Sequence, residues 1–170
     1  MKPIILIGFM GAGKTTISKK LAQQLGKNVL DMDEQLINRL GCSIAQYFST
    51  AGEAAFRLQE TNLLKEFLKK EGIIATGGGT ILSKENQKLL KDHQVVYLKG
   101  KAEILIERIR QDQETIRPLA LKNSDLELKK LLLERRKWYE RLAKITIDTS
   151  KKSPEEITEE IIEQLENQGV

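Results

Sequence analysis

The sequence predicts a three-layer α/β/α sandwich on a five-stranded parallel sheet, and three observations lead there. Five short apolar runs are spaced along the chain, at 3–8, 28–31, 72–76, 94–98 and 145–148. They lack polar alternation, as strands buried on both faces of a parallel sheet do. Amphipathic helical segments with explicit boundary residues lie between them, and this alternation supplies the helices that cover such a sheet. The length, 170 residues, suits one domain spanning 1–170, with no repeat, linker or biased tract.

The elements follow in order. The first run opens directly into "GFMGAGKTT" and a helix, which Gly26 is placed to end. The second run ends at Asp31, and the helix after it is expected to stop at Gly41. Ser43-Ile44-Ala45-Gln46 reads as a capping box for the next helix. The third run ends in "GGG", with a helix expected from about Ser83. Ser124-Asp125-Leu126-Glu127 reads as another capping box. Ser153-Pro154-Glu155-Glu156 is the last, with proline at the first helical position.

Composition narrows the function. The formal net charge of +4 suits a small anionic ligand or nucleic acid. Acidic and basic residues are interleaved, however, and aromatics make up only 5%, a poor stacking platform; no nucleic-acid partner is expected. The single cysteine, Cys42, excludes an internal disulfide, and the single histidine, His93, argues against histidine metal sites and a Ser-His-Asp triad. The start "MKPIILIGFMGA" loosely resembles a signal peptide but is broken by Gly8 and Gly11 and runs into Lys14. No stretch approaches the ~18–20 apolar residues of a membrane span. A cytoplasmic protein with no membrane partner is expected.

In an open parallel sheet, ligands bind beyond the carboxyl ends of the strands. After the first strand, Gly8, Gly13, Lys14 and Thr15 fill the pattern G-x-x-x-x-G-K-[ST], a phosphate-binding P-loop in its proper strand-to-helix context. Its glycines let backbone N–H groups curl around phosphate oxygens, and the helix N-terminus adds positive potential. Lys14 would reach the β- and γ-phosphates, and the Thr15 hydroxyl would hold Mg²⁺. After the second strand, Asp31 and Asp33 stand beside the P-loop if the two strands are neighbours. There they can hold hydrated Mg²⁺ or accept a substrate hydroxyl proton. The plainer alternative has Asp33 capping a helix that begins at Glu34.

After the third strand come Gly77, Gly78 and Gly79. Each glycine weakens regular structure by roughly 0.5–1 kcal/mol relative to alanine. Either a tight turn demands them, or something comes too close for a side chain. A small polar ligand taking backbone N–H groups would do so. Two arginines fall on inward helical stripes. Arg135 lies in line with Leu128, Leu131, Trp138 and Leu142, and Arg57 with Leu64 and Leu68. An inward guanidinium needs an anionic partner. That partner is either a ligand or internal: Glu60 for Arg57, Glu134 or Glu140 for Arg135. Finally, the polar stretch around 110–124 breaks the helical period and carries Arg110 and Arg117. It reads as a lid, which a kinase needs to keep water from the phosphoryl group. In the alternative, Glu107 or Glu114 simply pairs with Arg110.

Taken together, "GFMGAGKT", "DMD", Phe56-Arg57 with Glu60, "GGG", "RPL" and "RRKWYERLA" resemble the shikimate kinase family over essentially the full length. The resemblance implies a fold like that of the P-loop nucleoside-monophosphate kinases. It implies transfer of the ATP γ-phosphoryl group to the 3-hydroxyl of shikimate, with Mg²⁺ as cofactor, in a monomer. Gly11, Ala12, Gly13, Lys14, Thr15 and Thr16 would bind ATP. Arg110 would pack on adenine, and Arg117 would reach the phosphates. Asp33, Arg57, Gly78 and Arg135 would bind shikimate, with Asp33 the candidate base. Lys14, Asp33 and Arg117 form the implied catalytic set. Thr15 and, through water, Asp31 would hold the metal. The substrate-binding helical region would span about 33–61, with Phe48 and Phe56 on its apolar side. In the lid, Ala120 stands where a second leucine is usual in the family.

Overall fold

The computed structural model describes residues 2–112 and 118–170. Its strands β1 (Ile4–Ile7), β2 (Val29–Asp31), β3 (Ile73–Ala75), β4 (Gln94–Lys99) and β5 (Ile145–Asp148) form one parallel sheet in the order β2-β3-β1-β4-β5. Each expected run is a strand, with ends shifted by at most one residue. All of β1 and β3 is buried, so both faces of the sheet centre are covered. The expectation of uniformly apolar strands fails at one edge. Thr146 and Asp148 of β5 are exposed while Ile145 and Ile147 are buried, because an edge strand here has only one packed face.

Nine helical segments connect and cover the strands among the described residues: α1 (Lys14–Leu25), α2 (Met32–Leu40), α3 (Ile44–Ala51), α4 (Glu53–Phe67), α5 (Lys84–Leu90), α6 (Ala102–Gln111), α7 (Pro118–Lys122), α8 (Asp125–Leu142) and α9 (Pro154–Asn167). A single 3-10 turn (Thr80–Leu82) follows β3. Gly26 and Gly41 end α1 and α2 in the left-handed conformation, as expected. The boxes at Ser43 and Ser153 are reciprocal. At Ser124 only half forms: the hydroxyl accepts from the Glu127 N–H.

The strand order matters for function. The crossover from β1 runs to β2 on one side and the crossover from β3 runs to β4 on the other, which opens a crevice at the carboxyl ends of β1 and β3. Leu6 pairs with Ala75, and the Thr76 N–H and hydroxyl both donate to Leu6 O, at 3.2 and 2.9 Å. The loop after β1 and the glycine triplet after β3 therefore leave the sheet side by side. β2 does not neighbour β1, contrary to the simplest expectation; β3 lies between them. Asp31 still reaches the P-loop helix, because α1 crosses over β3 on its way to β2.

Candidate active site

At the phosphate end, Gly11 and Gly13 have φ of 76° and 91°, left-handed values that favour glycine. Gly11 also lies under α6: a Cβ there would stand 2.8 Å from Leu105 O. Ala12 is buried and its N–H donates to Phe9 O at 3.2 Å. Gly13 caps α1 without a side chain, so the first N–H groups of the helix face the loop's concavity. The Lys14 ammonium spans the loop, donating to Gly8 O at 2.7 Å and Phe9 O at 3.0 Å. Thr15 and Thr16 are exposed in the first turn.

Thr15 Oγ1 donates to Asp31 Oδ2 at 3.1 Å. The other carboxylate oxygen of Asp31 accepts from the Glu34 N–H at 3.1 Å. Asp31, then, is the N-cap of α2, which begins at Met32. Asp33 is not the cap: it sits within the first turn, exposed, which removes the plainer reading of that residue. It turns toward the triplet, for a Cβ on Gly77 would lie 3.0 Å from Asp33 Oδ1.

None of the three adjacent glycines has a left-handed φ. Gly77 and Gly79 are crowded by side chains, whereas a Cβ on Gly78 would meet its neighbours at ordinary contact distance. A Cβ on Gly79 would stand 2.5 Å from Arg57 Nη2, and one on Gly78 would stand 3.5 Å from Arg135 Nη1 and 3.6 Å from the Met10 N. The Asp33 carboxylate and both guanidinium groups thus converge on one turn, beside the P-loop.

The two arginines are held differently. Arg57 donates from Nη1 to Glu60 Oε1 at 2.8 Å, as its internal alternative predicts. Glu60 is itself buried and accepts from Thr80 Oγ1 at 2.9 Å, so the pair is anchored to the 3-10 turn. The Phe48 and Phe56 rings stack 4.7 Å apart, with the Arg57 guanidinium 5.9 and 5.4 Å from them. Arg135 is only 4% exposed, and its Nε has no hydrogen-bond partner. Glu134 and Glu140 are exposed, and among the described residues no ion pair joins Arg135 to a carboxylate. The buried stripe of α8 is Leu128, Leu132, Arg135 and Tyr139, one position off the expected line, with Leu131, Trp138 and Leu142 half-buried beside it.

Arg110 is the arginine that the resemblance implies on adenine. Arg110 donates to Asp125 Oδ1, Ala120 O and Asn123 O at 3.0, 2.5 and 2.7 Å, so its guanidinium ties α6 to α7 and the start of α8. It does not pair with Glu107. Two positions back, on the other face of α6, Arg108 donates to Gly11 O at 3.4 Å and Thr149 O at 3.3 Å. Arg108 therefore stands between the P-loop and the chain after β5, where sequence reasoning had not looked. A spacing of two places residues on roughly opposite faces of a helix, a signal available in advance. Ala120 is buried in the core. Arg117 and Glu114 lie outside the described residues.

The comparisons agree with this geometry. The family model described as shikimate kinase matches residues 10–166. The chain belongs to the shikimate kinase family. A shikimate kinase of Enterococcus faecalis is 51% identical over 97% of this chain and 99% of that relative. The solved shikimate kinase of Acinetobacter baumannii, in complex with shikimate, is 34% identical, with a TM-score of 0.91 over 99% of this chain and 94% of that one. A gluconokinase of Sinorhizobium meliloti, at 15% identity and TM-score 0.57 over 99% and 97% of the two chains, shares the fold alone. The activity is accordingly that of an ATP-dependent shikimate kinase. Among the described residues no helix is long and apolar enough to cross a membrane.

Proposed function

We propose that the chain transfers the γ-phosphoryl group of ATP to the 3-hydroxyl of shikimate, in the crevice between the P-loop and the glycine triplet. The observation that carries the acceptor is Arg135, a buried guanidinium facing Gly78 with no carboxylate of its own among the described residues. Guanidinium matches a carboxylate in a bidentate fork, and a carboxylate substrate supplies the charge that Arg135 needs. Arg57, steadied by Glu60, adds a second donor, and the glycines leave the ring room.

Asp33 orients the acceptor hydroxyl and takes its proton, late, because the transition state is loose. Lys14, the α1 N-terminus and Arg117 offset charge on the γ-phosphoryl oxygens. Arg108 rather than Arg110 flanks the adenine. Thr15 and Asp31, two hard oxygen donors 3.1 Å apart at the P-loop, fit Mg²⁺, which takes few protein ligands and keeps its waters. When bound, it would supply positive charge that offsets the charge on the transferring phosphoryl group. The segment 110–124 serves as the lid, and α2 to α4 as the acceptor-binding region. With this reading goes a cytoplasmic monomer with no nucleic-acid or membrane partner.

The test is ADP release by the purified protein with ATP and Mg²⁺, alone and with shikimate, gluconate or AMP. Stimulation by shikimate alone is expected. Turnover with gluconate or AMP instead would keep the P-loop and overturn the acceptor pocket.

A further inference from the structure

The Tyr139 hydroxyl donates to Gly78 O at 2.6 Å, across 61 residues of sequence. Tyr139 is fully buried, and its ring stacks on Tyr97 of β4, with centroids 5.1 Å apart and planes at 22°. Burial pushes its phenol far above the ordinary value, against the opposing pull of the neighbouring Arg135 charge, so it stays a protonated donor. Tyr139 follows Arg135 by one helical turn. One face of α8 therefore presents both the guanidinium and the hydroxyl to the same glycine.

We infer that Tyr139 is a positioning residue for the acceptor: it fixes the Gly78–Gly79 peptide against α8 and thereby sets the distance between Arg135 and the glycine turn. In a trans peptide the C=O and the following N–H point in opposite directions. Drawing Gly78 O toward Tyr139 therefore aims the Gly79 N–H away from α8. The turn leaves that group available. Its own bonds run from Thr80 N to Gly77 O and from Leu82 N to Gly79 O, at 3.2 and 3.0 Å. Glycine has no side chain to hold its peptide plane, so a triplet needs an outside anchor if its N–H groups are to point one way. Thr80, bonded to Glu60, anchors the far end of the turn; Tyr139 anchors the near end.

This inference rests on the acceptor pocket proposed above, and the experiment separates the two. Tyr139→Phe keeps the ring stack and removes only the donor. It is expected to raise KM for shikimate about tenfold, the effect of an unpaired buried carbonyl. KM for ATP and kcat should stay within about threefold, and shikimate-free ATP hydrolysis should not rise. Tyr97→Phe, which alters the same stack without touching Gly78, should leave KM for shikimate within about twofold. Site-specific 4-aminophenylalanine at position 139 keeps the ring stack and restores a donor of similar reach to Gly78 O. Its KM for shikimate should return to within about twofold of the parent value. An unchanged KM in Tyr139→Phe, or an unrescued KM in the amino variant, overturns the positioning role. If the unmodified protein does not phosphorylate shikimate, the pocket itself is wrong, and that result is seen before any variant is made.

Discussion

The two ends of the active-site crevice are built in opposite ways. The phosphate end is local: residues 8–15 are contiguous, two of the glycines take left-handed conformations, and the groups facing the phosphate side are largely backbone N–H. The acceptor end is assembled from a distance, with Asp33 from α2, Arg57 and Glu60 from α4, the turn after β3, and Arg135 and Tyr139 from α8. Its glycines have ordinary φ, and Gly77 and Gly79 are crowded by the Asp33 and Arg57 side chains. Nucleotide binding is thus written into one loop, while acceptor choice depends on how several elements pack. Changes at the two ends should separate cleanly.

The largest effects should come where the ends meet. Asp33→Asn is expected to lower kcat by about 10²–10⁴, the usual worth of a general base, with ATP affinity nearly unchanged. Survival of activity within a few-fold would show that Asp33 is neither base nor essential anchor. Lys14→Ala should cost about 10²–10³ in kcat, as loss of one preorganised charge-stabilising donor does, and should also weaken ATP binding.

Next come variants confined to the acceptor end. Arg57→Ala and Arg135→Ala should each raise KM for shikimate roughly 10–100-fold, the worth of a charge-assisted hydrogen bond, and leave KM for ATP alone. Equal damage to both substrates would collapse the distinction between the ends. Arg135→Ala carries a further signature. It removes a buried charge that has no carboxylate partner among the described residues, so the variant should melt no lower than the parent.

The smallest effect is on stability in alkali. Burial pushes the Tyr97 phenol from 10.0 up to about 12, and that of Tyr139 higher still. A group whose folded pKa is raised contributes stability that is fully present below its unfolded pKa and is lost as pH rises through the folded one. Melting temperature should therefore hold steady up to about pH 10 and fall between 10 and 12, and Tyr97→Phe should flatten that fall. A flat profile in the parent protein would mean that the stack beneath the glycine turn is open to water.

What was legible in the sequence follows the same division. The P-loop, the strands and the Gly26, Gly41, Ser43 and Ser153 caps could be read because each depends on neighbours a few residues away. Arg57 and Arg135 were legible as inward charges, though the stripe of α8 was misjudged by one position. Less could be seen where a residue's role is set by a distant element. Asp31 is expected to end a strand and to hold the metal, but its cap on α2 has no signal in the sequence. The motif does not single out Arg108, because the face of α6 that meets Gly11 is fixed by packing. The role of Tyr139 is not legible, since its partner, a backbone carbonyl, has no sequence signature.

Position 79 is glycine to admit Arg57 rather than to shape the chain. Calorimetric titration of Gly79→Ala, whose new Cβ would meet Arg57 Nη2 at 2.5 Å, tests that claim directly. The account predicts a folded protein that binds ATP as the parent does and binds shikimate at least about tenfold more weakly. Shikimate binding at parental strength, or an equal loss for both ligands, would contradict it.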